Sequence, residues 1–438
     1  MDVDDSPQDA AYRQRVRAYV QEHLHELVHR GSPPDPDGAQ AVEDYRRTQR
    51  VLHAGGLVGI TWPVEYGGQG GTTMQQVVVN QELARAGIPP LIGQIGLGMC
   101  GPTLITHGTQ EQKERFLARL LSAEDVWSQL FSEPGAGSDL AALSTRADRV
   151  ADGWVVNGQK VWTSGAHYSS WGILLARTNA SAAKHRGLTM LVLDMQAPGV
   201  TVRPLRQMSG DHAFNEVFLE DVHIPTGMLV GDVDDGWRVA LTTLMNERLA
   251  IGGAGGDIGF GIEALVELAA EVLPTLSPDR QVLVRQELGQ LYAVSLACRW
   301  TGQRRLTALV KGETPGPEAS AGKVAGTTLG HGIADLGVRL LGQDAVFADV
   351  LDGADGRARW QHVQSLLPGL AIAGGATEIL KNILGERVLG LPAEPRPDKA
   401  APVTSPAPGA SSPTSGTTSP PTDLPGRLAP PALVPTGA

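Results

Sequence analysis

The chain has 438 residues, of which 42% are hydrophobic and 19% charged, and its net charge is −11. That length predicts two or three domains with ample core material, and an acidic chain with only 5% aromatics carries no footprint for nucleic acid. Two cysteines, Cys100 and Cys298, exclude a disulfide framework or a cysteine-rich zinc site and read as core thiols of a reduced, cytoplasmic protein.

Met1 to Asp9 carries acids and no apolar segment, so no secretory leader is expected there. No apolar run approaches the roughly 18 residues of a membrane span. Residues 8–126 read as mostly helical. Tyr12, Val16, Tyr19, Val20, Leu24, Leu27 and Val28 follow a 3.6 period, and Glu82–Arg85 and Gln110–Leu121 continue it. From Asp125 to Asp235 the period moves towards two. Trp154, Val156, Lys160-Val161-Trp162 and the apolar run Ile173–Ala176 read as strands. So do Thr189–Asp194, Val200–Arg203 and Glu216–Phe218. Turns are expected at Asp152-Gly153, Asn157-Gly158 and Pro198-Gly199. Helical periodicity returns over Trp237–Val272, Asp279–Lys311, Ala319–Leu341 and Gln361–Leu389. The last stretch holds 13 of the chain's 30 prolines between Pro392 and Ala438. With few large apolar residues it cannot offset its ordering entropy, so a disordered tail is expected. The predicted organisation is α+β: a helical domain over 1–126, a β domain over 127–235, a helical bundle over 236–392 and a tail over 393–438.

One motif reads as a decoy. His25-Glu26-Leu27-Val28-His29 matches the HExxH pattern of zinc hydrolases on a plausible helix. No third ligand follows at the expected spacing, and both histidines flank the apolar face, so a solvated helix side is expected. Phosphate-binding glycine loops and a nucleophile elbow fail on spacing. Gln129–Asp139 is more informative, because its consecutive small residues expose backbone N–H groups to a ligand. Asn157–Gly165 leads to Trp162, Thr163 and Ser164. Six glycines crowd Gly252–Gly261, just after Glu247 and Arg248. Each costs roughly 1 kcal/mol in a helix interior, which points to close approach by another helix or a flat ligand.

In this order and spacing these segments resemble the acyl-CoA dehydrogenase family. Leu57–Gly68 resembles its N-terminal loop, Ser132–Asp139 and Asn157–Ser164 its two flavin segments, and Phe214–Pro225 the end of its β domain. Gly374–Ile379 and Glu386–Gly390 resemble its C-terminal signature. The resemblance covers residues 10–395. It implies an N-terminal helical domain, a middle β-barrel domain and a C-terminal four-helix bundle. It also implies FAD between the last two, partly enclosed by a neighbouring protomer. On that pattern Gln129, Leu130, Phe131, Ser132, Gly137 and Ser138 line the flavin. Trp162 packs on its ring with Thr163 beside it, and Ser164 bonds near N5. Gln286, Thr377 and Glu378 reach FAD from the C-terminal half. Ser138, Arg248, Gly374 and Gly375 lie towards the acyl-CoA substrate.

Most family members place the catalytic Glu at the position occupied here by Gly374, which has no side chain. An isovaleryl- and long-chain-type subgroup places it before an Arg on an earlier bundle helix, which is Glu247-Arg248 here. The resemblance therefore implies Glu247 as the base, with a pKa raised by burial. The thioester oxygen would take its hydrogen bonds from a flavin hydroxyl and a backbone N–H near Gly374. Electron transfer flavoprotein is the acceptor the family implies. Three contacts to a neighbour's flavin depart from the pattern: Arg280 lacks the following Phe-Gly, the usual Thr is Ala376, and Gly342-Gln343-Asp344 replaces a glycine-rich segment. A heteromeric α2β2 assembly stands beside a homotetramer or homodimer. A flavin oxidase or monooxygenase of the same fold, and a non-catalytic subunit, are the alternative functions.

Overall fold

The computed structural model describes residues 5–28, 38–253, 261–313, 316–347 and 358–395. Most of the tail predicted to be disordered, from 396 onward, lies outside them. The N-terminal part is helical: α1 (Pro7–Glu22), α2 (Ala39–Ala54), α3 (Thr73–Arg85), α4 (Gly101–His107) and α5 (Gln110–Leu121). Thr72 with Gln75, and Thr109 with Gln112, form reciprocal capping boxes that start α3 and α5. A π-helical turn, Gly96–Cys100, leads into α4. The helix expected to carry His25 and His29 stops earlier. α1 ends at Glu22, Leu24–Glu26 make one 3-10 turn, and Leu27 is extended. The one-turn spacing is lost; the His25 side chain is 78% exposed, and His29 lies outside the described residues.

Eight strands follow: β1 (Trp127–Leu130), β2 (Arg146–Val150), β3 (Gly153–Ser164), β4 (Trp171–Arg177), β5 (Leu188–Asp194), β6 (Val200–Leu205), β7 (Phe214–Pro225) and β8 (Leu229–Val230). They form one sheet in the order β6-β7-β3-β2-β4-β5-β8, with β1 parallel to β4. The apolar run in β4 is explained by burial on both faces. Ile173 and Leu175 join the core shared with the N-terminal helices, including Phe116 and Leu117. Leu174 and Ala176 join the opposite core with Trp154, Val156 and Leu219.

Asn157-Gly158 is not the turn that its composition suggests. It lies inside β3, at a register shift against β7. The glycine is required by close approach instead: a Cβ there would sit 2.4 Å from Thr145 Oγ1 and 2.7 Å from Thr145 Cα.

The C-terminal part is helical again: α6 (Gly236–Gly253), α7 (Ile262–Val272), α8 (Pro278–Val310), α9 (Ser320–Leu341), α10 (Gln343–Phe347), α11 (Ala358–Ile372) and α12 (Thr377–Arg387). Of the helix predicted over Trp237–Val272, α6 is described as far as Gly253 and α7 from Ile262; residues 254–260 lie outside the described ones. α7, α9 and α11 enclose a third core around Leu265, Ile333, Leu336, Trp360 and Leu367. Gly337 admits Trp360, whose ring would lie 2.1 Å from an added Cβ. His362 on α11 reaches Asp211 in the β6–β7 connection at 3.4 Å, joining the bundle to the sheet. Among the described residues no single helix is long and apolar enough to cross a membrane.

Candidate cofactor and active site

The loop after β1 is fixed from below. Glu133 and Ala136 exchange backbone hydrogen bonds of 3.1 and 3.0 Å, folding Pro134 and Gly135 into a tip. Glu133 is buried. Its carboxylate accepts from the Ser144 N–H (2.6 Å), the Ser144 hydroxyl (2.8 Å), the Thr145 N–H (2.9 Å) and Lys160 Nζ (2.8 Å). Lys160 also donates to the Phe131 carbonyl at 3.0 Å. Burial pushes the Glu133 carboxyl up, but the Lys160 charge and these hydrogen bonds outweigh it and hold the group at about 2. Burial draws Lys160 down, opposed by Glu133. The upper side of the loop is open. Gly137 and Ser138 are exposed, and nothing lies within 4 Å of a Cβ placed on Gly135 or Gly137.

β3 runs beside this loop. The Val161 N–H donates to the Ser132 carbonyl at 2.9 Å. Trp162 follows with φ +59°, within the register shift between Lys160 and Thr163. A left-handed backbone at a bulky residue costs about 1–3 kcal/mol and persists only where its surroundings enforce it. Its ring is 59% exposed and touches Phe214 edge-on at 5.9 Å. Thr163 is fully buried, and its hydroxyl has no partner among the described residues.

Residues that sequence reasoning missed hold the end of β3. Ser128 donates to the Ser164 carbonyl at 3.1 Å and meets the Ser169 hydroxyl at 2.5 Å. Ser169 donates to the Gly165 carbonyl at 2.8 Å, and Asn215 to the Thr163 carbonyl at 3.0 Å. None of these carries a motif, because their roles exist only once distant strands pair. Glu133 and Lys160 lie inside the motifs already noticed. The signal for Lys160 was a charged residue within a predicted strand beside Val161 and Trp162.

Glu247 sits half-buried on α6. That helix packs on the π turn, α4 and β5. One turn earlier, fully buried Thr243 meets Thr103 on α4, hydroxyl to hydroxyl at 2.9 Å. Thr242 bonds His107 at 2.8 Å. Spacing of four puts Glu247 on the Thr243 side of the helix. The π turn in turn packs on β1, where the Cys100 thiol approaches the Ser128 carbonyl at 3.8 Å. The base candidate therefore rides on a helix stacked, through the π turn, on the strand that feeds the loop. The side chain of Arg248 lies outside the described part.

The remaining expected residues stand in the bundle. Gly374 and Gly375 break α11 from α12 with φ of +64° and +97°. Lys323 on α9 braces this break, donating to Ala371 O at 3.2 Å and Gly375 O at 2.8 Å. Burial draws the Lys323 ammonium down, opposed by Glu378. Thr377 donates to Ala371 O at 3.3 Å. Glu378 and Gln286 are exposed. α12 packs mainly on α9, and α8 on α9 and α7.

Gln129, Leu130, Phe131, Ser132, Gly137 and Ser138 thus line one strand-to-loop passage, with Trp162, Thr163 and Ser164 on the neighbouring strand. An open glycine backbone next to an exposed, conformationally constrained indole suits a flat aromatic ligand with polar edges. An FAD ring fits that description.

The chain matches the family profiles described as Acyl-CoA dehydrogenase, N-terminal domain over residues 6–124, middle domain over 128–222 and C-terminal domain over 234–389. It is 40% identical to acyl-CoA dehydrogenase FadE34 of Mycobacterium tuberculosis across 82% of this chain, and spans about half of that relative, 48% of its length. Acyl-CoA dehydrogenase IpdE1 of the same organism is 37% identical, over 81% of this chain and 90% of its own. Two solved structures match all of their chains and 90% of this one. They are the Tcur3481-Tcur3483 steroid ACAD (30% identity, TM-score 0.77) and the ChsE4-ChsE5 complex from Mycobacterium tuberculosis (31%, 0.75). Members of the matched family are FAD-dependent flavoproteins. On three consecutive domains and on fold, the chain belongs to the acyl-CoA dehydrogenase family, a family of oxidoreductases.

Proposed function

We propose that this chain dehydrogenates an acyl-CoA, or a carrier-bound acyl thioester, between Cα and Cβ, with FAD as its cofactor and Glu247 as the base. The observation that carries this reading is the placement of α6. The helix that carries half-buried Glu247 packs on the π turn, which packs on β1, the strand leading into the loop, while Gly374 has no side chain to act.

Glu247 takes the α-proton as a general base, leaving the electron pair on the substrate as an enolate. FAD, held by the Gln129–Ser138 loop and Trp162, would supply the acceptor for the hydride on Cβ, the product being the trans-2-enoyl thioester. Backbone N–H groups at the Gly374-Gly375 break stabilise the enolate oxygen, and Lys323 keeps that break in shape through Gly375 O. The exposed Trp162 ring supplies a face for the flavin. Electron transfer flavoprotein is the proposed acceptor.

An assembly with another chain is part of the proposal. α8 is 33 residues long and none of its described side chains is buried; Val282, Leu283, Tyr292, Val294 and Trp300 are exposed. A related chain is the favoured partner. The ChsE4-ChsE5 structure is of a complex, and FadE34 has as much sequence again as this chain matches. The steroid ACAD likeness puts thioesters of steroid side chains first among substrates.

The test is anaerobic bleaching of the purified flavoprotein by acyl-CoA thioesters, beginning with steroid-side-chain thioesters. Substrate-dependent bleaching with formation of enoyl product is expected. Glu247→Gln should retain flavin and lose bleaching by about 10²–10⁴-fold. Undiminished bleaching in that variant would remove Glu247 from its role.

A further inference from the structure

We propose that the buried Lys160–Glu133 pair is a positioning device for the cofactor. Lys160 draws the Phe131 carbonyl inward and thereby turns the Ser132 N–H outward as an open donor for the polar edge of the FAD ring. The proposal rests on the reading of an FAD site given above.

The Lys160 side chain is 0% exposed and that of Glu133 is 5% exposed. Withdrawing two charges from water costs several kcal/mol each, and well-packed apolar residues can serve a core as well or better. Packing alone therefore does not account for an ion pair here. An ammonium can do what a Leu or Met cannot: hold one particular carbonyl. Lys160 divides its protons between Glu133 Oε1 at 2.8 Å and Phe131 O at 3.0 Å. Glu133 is anchored by the Ser144 and Thr145 N–H groups, so the pair cannot drift with the loop.

The next step is peptide geometry. In a planar trans peptide the C=O of one residue and the N–H of the next point in opposite directions. With Phe131 O directed at Lys160, the Ser132 N–H points away from the pair. No described group accepts from it, whereas the Ser132 carbonyl is taken by the Val161 N–H at 2.9 Å. Backbone N–H groups withdrawn from water are nearly always paired, so the N–H of half-buried Ser132, held without a protein acceptor, invites one. The residues that grip the loop are consecutive with the one that presents the ring. Lys160 points inward, Val161 binds Ser132 through its N–H, and Trp162 turns outward at φ +59°. One run of three residues thus sets the donor and the aromatic face relative to each other.

The test uses the full chain in the assembly in which it purifies, with flavin removed and FAD added back. The double variant Lys160→Met/Glu133→Gln removes both charges and keeps the shape; the Gln oxygen in the Oε2 place can still accept from Ser144, while the acceptor for the Thr145 N–H is lost. It should unfold at a temperature near that of the wild-type apoprotein. Its FAD affinity should fall about tenfold or more, with a displaced flavin absorbance band. Unchanged affinity and spectrum in a folded double variant would overturn the proposal. Wild-type apoprotein that takes up no FAD would overturn the functional reading beneath it.

A second measurement needs no variant. Amide exchange at Ser132 should be fast in the apoprotein and slow after FAD is added. An amide already protected without FAD would overturn the proposal even if the double variant fails to fold.

Discussion

β4 and α8 are opposite solutions to the same demand. Six of the seven residues of β4 are buried, because both of its faces meet cores supplied by this chain. None of the described side chains of α8 is buried, although the helix is 33 residues long. Leu288 and Leu291 pack on the bundle core, while Leu283, Tyr292 and Trp300 are 65%, 46% and 54% exposed. A helix that is apolar on more than one side needs cover on more than one side. Both faces of β4 are covered by this chain, whereas completion of the bundle by a partner is part of the proposed reading. Substitutions in the first should therefore act on the stability of the chain, and those in the second on assembly.

Four experiments break or sharpen that contrast. The largest effect is expected from Lys160→Met alone. It leaves the Glu133 carboxylate buried without its counter-charge and should cost about 3–5 kcal/mol, read as a large fall in the denaturant midpoint. The double variant with Glu133→Gln should recover most of the loss. Acid should act at the same place. Glu133 is held at about 2 in the folded chain, below its unfolded value, so its stabilisation is complete above the unfolded pKa. It is lost as pH falls from about 4.5 towards 2, up to about 3 kcal/mol in all. Urea titrations across that range should show the decline in wild type and a flatter profile in the Lys160→Met/Glu133→Gln variant.

Trp162→Asn should move stability the other way. The ring is mostly exposed, and Asn tolerates a left-handed backbone better than Trp. The apoprotein should gain about 1 kcal/mol while FAD binding weakens, measured by thermal melts and flavin titration. The smallest effect on the chain itself is expected from Leu283→Lys on α8, within about 0.5 kcal/mol. Its sedimentation behaviour should nevertheless shift to a smaller species. A large loss of stability with unchanged assembly would mean that α8 is covered by its own chain.

The candidate site could be proposed from the sequence because its signals are local. Consecutive small residues from Gly135 to Ser138, an indole followed by two hydroxyls, and a Glu before an Arg each stand in one short segment. Asn157-Gly158 misled for the same reason. Its composition is that of a turn, but Thr145, a residue of another segment, decided that a glycine was needed in a continuous strand. HExxH reads as a decoy, but the helix expected to carry it is too long, since periodicity does not show that α1 stops at Glu22.

The sequence by itself determined the order helical, β, helical, and the family to which the chain belongs, because hydrophobic period and motif spacing are written in neighbouring residues. Tertiary structure alone decided how the loop after β1 is held. Glu133, Ser144, Lys160, Ser128 and Asn215 come from separate segments. Their hydrogen bonds act over about 3 Å, a distance set by the pairing of strands and invisible along the chain.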